Sequence, residues 1–194
     1  MTGQQFWAHS APVQKEGGAN SKAGWQPLAA HLISVAKMAR QFATTAHPQD
    51  ISFHEEATVC GLLHDYGKYT DCFQQRIITG KGRCAHAIHG AQLAILNQDG
   101  KLIRPHLLSA AFAIAGHHSG LPDWQGASGS LQHRLKAKEH IEESFLIRDH
   151  AIQDCSEIRA LLEQWPAALE SLSINPCDLD LRTRMLFSCL WPAR

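Results

Sequence analysis

The segment Leu62-Leu63-His64-Asp65-Tyr66-Gly67-Lys68 sets an imidazole beside a carboxylate at the end of an apolar run. One rigid support then offers two kinds of metal ligand. The carboxylate can bridge two cations while the imidazole holds one of them. Gly67 lets the backbone turn or come close to a substrate. Lys68 follows Asp65 by three residues and shares its helical face if the helix continues, so its ammonium can meet a phosphate. A bare His-Asp pair is common, whereas His-Asp-x-Gly-Lys after an apolar helix is far more selective.

Three further histidine features lie along the chain. Gly116-His117-His118-Ser119-Gly120 pairs two imidazoles that would point about 100° apart within a helix. They converge on one site only if the helix ends there, which the flanking glycines permit. His31 sits on the edge of an apolar helical stripe. His86 and His89 stand at the head of another helix. Each has a plainer reading: His31 as a hydrogen-bonded or surface histidine, His117-His118 as a favourable helix C-terminus, His86 and His89 as solvated side chains. The order H … HD … H … HH is much harder to obtain by chance than any one of them.

The elements that must position these groups are helical. Pro27 opens a helix, and Leu28, Leu32, Val35, Ala39 and Phe42 recur at three- and four-residue steps to about Ala43. Phe53 to Leu63 gives a second helix with Ala57, Cys60 and Leu63 inward, and Ala85 to Leu96 a third. Arg104-Pro105 starts a fourth that Gly116 ends. Glu16–Gly24 and Ser119–Ser130 are loop-like. Leu131 to His150 is charged and predicts one exposed helix; Ile158–Trp165 and Leu179–Leu190 complete the set. No period-two alternation, βαβ rhythm or repeat is present. The expectation is an all-α bundle, one domain over residues 1–194, with the metal site between helices.

Composition narrows the function. The 194 residues carry 18 basic and 18 acidic side chains, so a strongly basic nucleic-acid binder is excluded and contact with a polyanion must be local. Arg76, Lys81, Arg83 and Arg104 could form a weak patch, though solvated surface explains them as well. Thirteen histidines is a high number for a residue that ligates metals and titrates near neutrality. The six cysteines (60, 72, 84, 155, 177, 189) show no zinc-ribbon or thioredoxin spacing, which predicts free thiols in a reduced cytoplasmic protein. No apolar run approaches the roughly 20 residues that span a bilayer, and no secretion signal opens the chain.

The sequence resembles the HD metal-dependent phosphohydrolases, and more closely the nuclease domain of the CRISPR-associated type I interference helicase–nuclease. The matching residues are Trp7-Ala8-His9-Ser10, Trp25 with Leu28-Ala29-Ala30-His31-Leu32, and His64-Asp65-Tyr66-Gly67-Lys68. They continue with His86-x-x-x-Gly90-Ala91, Gly116-His117-His118-Ser119-Gly120 and Arg184-Met185-Leu186-Phe187-Ser188-Cys189-Leu190. The resemblance implies two adjacent cations. His31, His64 and Asp65 would hold one; Asp65 would bridge to a second held by His86, His117 and His118. His86 is preferred to His89 because the family places its histidine four residues before the Gly-Ala pair. His89 then neighbours the site or is an alternative ligand.

Two-metal chemistry of this kind activates a water and stabilises both oxygens of an in-line displacement at phosphorus, with Asp65 and Lys68 as the catalytic groups. Mixed imidazole and carboxylate ligation suits manganese, iron, nickel, cobalt or zinc. The implied activity is single-stranded DNA (or RNA) cleavage in CRISPR antiviral defence, beside a separate helicase and a guide-RNA surveillance complex. Rival readings are a nucleotide phosphohydrolase and a degenerate metal-binding domain without activity. The match departs at its end. Aligning on Leu190 places Pro192 where the family carries an aspartate of the first metal site, and the expectation is a shortened C-terminus with no helicase domain. The first cation would then need water, a partner chain, or a substitute carboxylate such as Asp178 or Asp180.

Overall fold

The computed structural model describes residues 4–11, 22, 24–173, 175 and 177–190. Most of the loop read at Glu16–Gly24 lies outside them, as does Pro192. The architecture is the expected all-α bundle.

Helix α1 (Leu28–Ala46) starts on Pro27, whose extended backbone (φ −60°, ψ 139°) suits the residue before a helix, and buries Leu28, His31, Leu32, Val35, Ala36, Ala39 and Ala43. That stripe follows the helical period and packs against α2 (Ile51–Leu63). Asp50 caps α2, its carboxylate accepting the Phe53 N–H at 2.8 Å. This helix is buried on nearly every side because α1, α4 (Ala87–Ile95), α5 (Leu108–Gly116) and α11 (Leu179–Leu190) surround it. The chain leaves α2 through a 3₁₀ turn, Tyr66–Tyr69, into α3 (Asp71–Thr79), which Thr70 caps and Gly80 ends in the left-handed conformation (φ 69°).

Two glycines let the backbones around the site meet. A methyl group at Gly90 would overlap the carbonyl of Leu63, and one at Gly67 would overlap the carbonyl of His86. Any larger residue would hold α4 away from the end of α2.

Helix α3 and a later short helix at Ala167–Glu170 lie where the sequence reading gave no helix, and the structure departs from that reading in three further places. The predicted helix from Leu131 to His150 is three short ones: α6 (Leu131–Leu135), α7 (Lys138–Leu146) and the start of α8 (Arg148–Asp154). Buried Gln92 on α4 reaches the carbonyls of Arg134, Leu135 and Ala137 at 3.3–3.4 Å, which stabilises the break after Leu135 from outside the segment. Helices α9 (Ser156–Glu163) and α10 (Ala167–Glu170) follow. Second, an antiparallel ribbon joins β1 (Trp7–His9) to β2 (Gln26–Pro27), too short to show alternation. Third, Cys72 and Cys84 form a disulfide instead of remaining free thiols; the turn after α3 folds back and brings their Cα atoms to 6.0 Å. Cys60, Cys155, Cys177 and Cys189 are free. No described helix is long and apolar enough to cross a membrane.

Candidate metal centre

Asp65 lies just past the end of α2, 2% exposed, with a different group of side chains on each carboxylate oxygen. Oδ2 faces His31 Nε2 at 3.1 Å, His64 Nε2 at 3.2 Å and Lys68 Nζ at 2.7 Å. Oδ1 faces His117 Nε2 at 3.3 Å, His86 Nε2 at 3.5 Å and His118 Nε2 at 3.9 Å. All six histidine and aspartate positions singled out as ligands therefore meet at one carboxylate, with Lys68 on its His31 side.

Local structure explains the convergence. α1 carries His31 inward on its apolar stripe. Helix α5 ends at Gly116, and Gly120 (φ 90°) turns the chain away, so His117 and His118 share one side with ring centroids 4.0 Å apart. His86 precedes the first turn of α4. His89, one helical turn on, points elsewhere: its Nε2 meets Glu143 Oε2 at 2.7 Å.

Hydrogen bonding fixes which ring nitrogens carry lone pairs. His64 Nδ1 donates to the Gly61 carbonyl at 2.9 Å, and His117 Nδ1 to the Ile114 carbonyl at 2.7 Å. A carbonyl can only accept, so in the neutral rings each Nε2 is a bare acceptor aimed at another acceptor, the carboxylate. Asp65 Oδ1 and His117 Nε2 are both buried and both lack a hydrogen-bond partner. Lone pairs facing each other at 3.3 Å repel unless a cation stands between them. The donor set and its two orphaned atoms fit divalent metal.

The electrostatics agree. Burial alone would raise the Asp65 carboxyl, but the charge of His64 and the contacts of His117 and His31 outweigh it and hold the group well below the usual carboxylate range. Burial lowers His86 and His118 to about 4, with further lowering at His86 from Lys68 and at His118 from His117, so both rings are neutral at physiological pH.

Residues 28–154, more than half of the chain, match the family model for the HD domain. The chain belongs to the HD domain family. HD domains bind divalent metals and the family is one of metal-dependent phosphohydrolases, a description that suits this centre. The matched region contains His31, His64, Asp65, Lys68, His86, His117 and His118. No curated protein matches the chain.

Sequence reasoning missed one neighbour of this HD centre. His9, at the end of β1, stacks edge-on against His31 with centroids 5.0 Å apart and lies outside the matched region. Its only signal was membership of Trp7-Ala8-His9-Ser10. Burial, Lys68 and His31 lower it to about 4. The substitute carboxylates considered for the first cation are not brought to the centre. Asp180 accepts from Arg184 Nε at 3.0 Å and lines a separate groove with Phe112 and Trp124. Leu190, from the far end of the same helix, reaches the metal cavity. Ten residues of helix, about 15 Å, separate the two. Of the four basic residues, Arg76 and Arg104 have different partners: Arg76 lies over Phe73 beside the centre, while Arg104 stacks on Trp165 with its guanidinium 4.0 Å from the ring centroid.

Proposed function

We propose that this HD domain hydrolyses phosphodiester bonds in single-stranded nucleic acid, using one or two divalent transition-metal ions held by His31, His64, Asp65, His86, His117 and His118. The observation that carries the reading is the carboxylate of Asp65 with imidazole nitrogens facing both of its oxygens, His31 and His64 at Oδ2 and His86, His117 and His118 at Oδ1. Ligands of that kind on both oxygens are what a carboxylate shared by two cations would need.

Such ions, when bound, supply Lewis acidity and lower the pKa of water. The chain's own groups do the rest. His86 and His118 open onto a cleft of about 570 Å³ that Ser10, Lys68, Phe73 and Arg76 also line. An extended strand can enter such a cleft from the side. Lys68 spends two donors on Asp65 and the Ala8 carbonyl (3.1 Å) and has a third for a phosphate oxygen. Arg76 adds a second cation along the cleft. The zero formal net charge supports a domain that is handed its strand, and we place a separate helicase and a CRISPR guide-RNA complex in that role.

The test is cleavage of circular single-stranded DNA by the purified protein with manganese, nickel, iron or no metal, beside a His64→Ala, Asp65→Ala double variant. Metal-dependent cutting absent from the variant is the expected result. Hydrolysis of mononucleotides with no cutting of the circle would replace the nuclease reading with a nucleotide phosphohydrolase. Metal uptake without hydrolysis of either would favour a non-catalytic domain.

A further inference from the structure

The two ends of the Asp65 carboxylate are not equally provided with imidazole. On the Oδ1 side stand His86, His117 and His118. On the Oδ2 side the HD region supplies two, His31 and His64, and the remaining neighbour is the Lys68 ammonium, which cannot ligate while protonated. With Asp65 shared, that side is, among the described residues of the HD region and α11, one protein ligand short of the tetrahedral set that imidazole-bound zinc and related ions take. Helix α11 does not make up the difference, because Leu190 is the residue it places at the cavity.

We propose that His9 is the missing ligand of the cation on the His31–His64 side. His9, His31 and Asp65 each offer a ligand atom, and these atoms all lie within 4.8 Å of one another. The same cavity, about 70 Å³, is lined by His9, His31, His64 and Asp65. β1 is held against the centre by a set of bonds that leaves His9 little choice of place. Gln74 on α3 accepts the Trp7 N–H at 3.1 Å and donates to the Trp7 carbonyl at 3.0 Å and the Lys68 carbonyl at 2.7 Å. Lys68 in turn donates to the Ala8 carbonyl at 3.1 Å, so one lysine touches both Asp65 and the backbone next to His9. Trp7 and Ala8 are buried while His9 is exposed at the strand end, an arrangement that leaves its ring free to swing onto an ion. The assignment rests on the metal centre under Proposed function but extends it beyond the HD region to a strand preceding the matched residues.

Cobalt(II) titration tests it, read by visible absorption and by native mass spectrometry of the full chain. Wild type, His9→Ala and His31→Ala are compared, with Asp65→Ala as the blank. Because His9 is exposed, His9→Ala should keep the wild-type thermal midpoint without metal. The expected result is two ions in wild type and, in His9→Ala, one ion of unchanged affinity and one weakened at least tenfold, the same ion that His31→Ala releases. His9→Asp should restore most of the weakened binding. Identical titrations of wild type and His9→Ala would overturn the assignment while leaving the metal centre intact. A wild-type chain that takes up no ion would overturn both.

Discussion

Asp65 and Glu56 are two buried carboxylates nine residues apart, and they stand in opposite states. Glu56, fully buried on α2, has one cationic partner: Arg182 Nε on α11 at 2.6 Å from Oε2, with Oε1 unpartnered. Burial pushes it up to about 7 despite Arg182. Asp65 is as deeply buried but ringed by imidazoles and an ammonium, and it is held well below its ordinary range. Desolvation sets the default for both, and the number of converging positive or metal-ready groups decides the outcome. The Arg182 guanidinium also meets Asp50 Oδ2 at 3.0 Å and Ser52 Oγ at 3.1 Å and lies over Phe53, so this pair works as a clamp between α2 and α11. Five imidazoles around one carboxylate exceed any need for a clamp.

Asp65→Asn tests that contrast with the largest effect. It keeps the shape and removes the charge shared by both halves, so metal affinity should fall by more than about 100-fold, since even outer-sphere partners of a metal ligand are worth 10–100-fold. Hydrolysis should vanish while circular dichroism still reports the fold. Retained metal would mean that the imidazoles alone form the centre. Arg182→Met comes next. It strands Glu56 without its partner, and chemical denaturation at pH 8 should show a loss of about 3–5 kcal/mol. The loss should shrink at pH 5, where Glu56 takes a proton, and metal uptake by the folded protein should stay as in wild type.

The smallest effects are the pH slopes, which should have opposite signs. Glu56 titrates higher in the folded chain than its ordinary 4.5, so its contribution is fully present below 4.5 and is lost as pH rises through about 7. Glu56→Gln should flatten that part of a plot of unfolding midpoint against pH. His86 and His118 titrate lower than their ordinary 6.5, so their contribution is present above 6.5 and is lost as pH falls toward 4. Alanine at both should remove the acid-side decline of the metal-free protein. Slopes of the same sign from both regions would break the comparison.

How much of this was legible beforehand follows from where each signal resides. Helices α1, α2 and α11 could be read because apolar periodicity and Pro27 at a start are local. The histidines that converge on Asp65 could be picked out because each sits at a helix edge or end. The Leu131–His150 region was misread because no glycine or proline marks its break, which a side chain from α4 stabilises. His9 was passed over because a three-residue strand has no period, and its value depends on Gln74, 65 residues later. The Cys72–Cys84 pairing likewise depends on a turn folding back, which spacing alone does not reveal.

That disulfide has a topological consequence. It joins the first turn of α3 to a residue two before His86, and so turns the exposed stretch Gly80–Arg83 into part of a closed covalent ring. A protease cutting at Lys81 or Arg83 would sever the main chain without freeing His86 from α3. The nicked protein would run as one band unreduced and two bands reduced, so the segment at the mouth of the cleft can be cut while its two ends stay tethered.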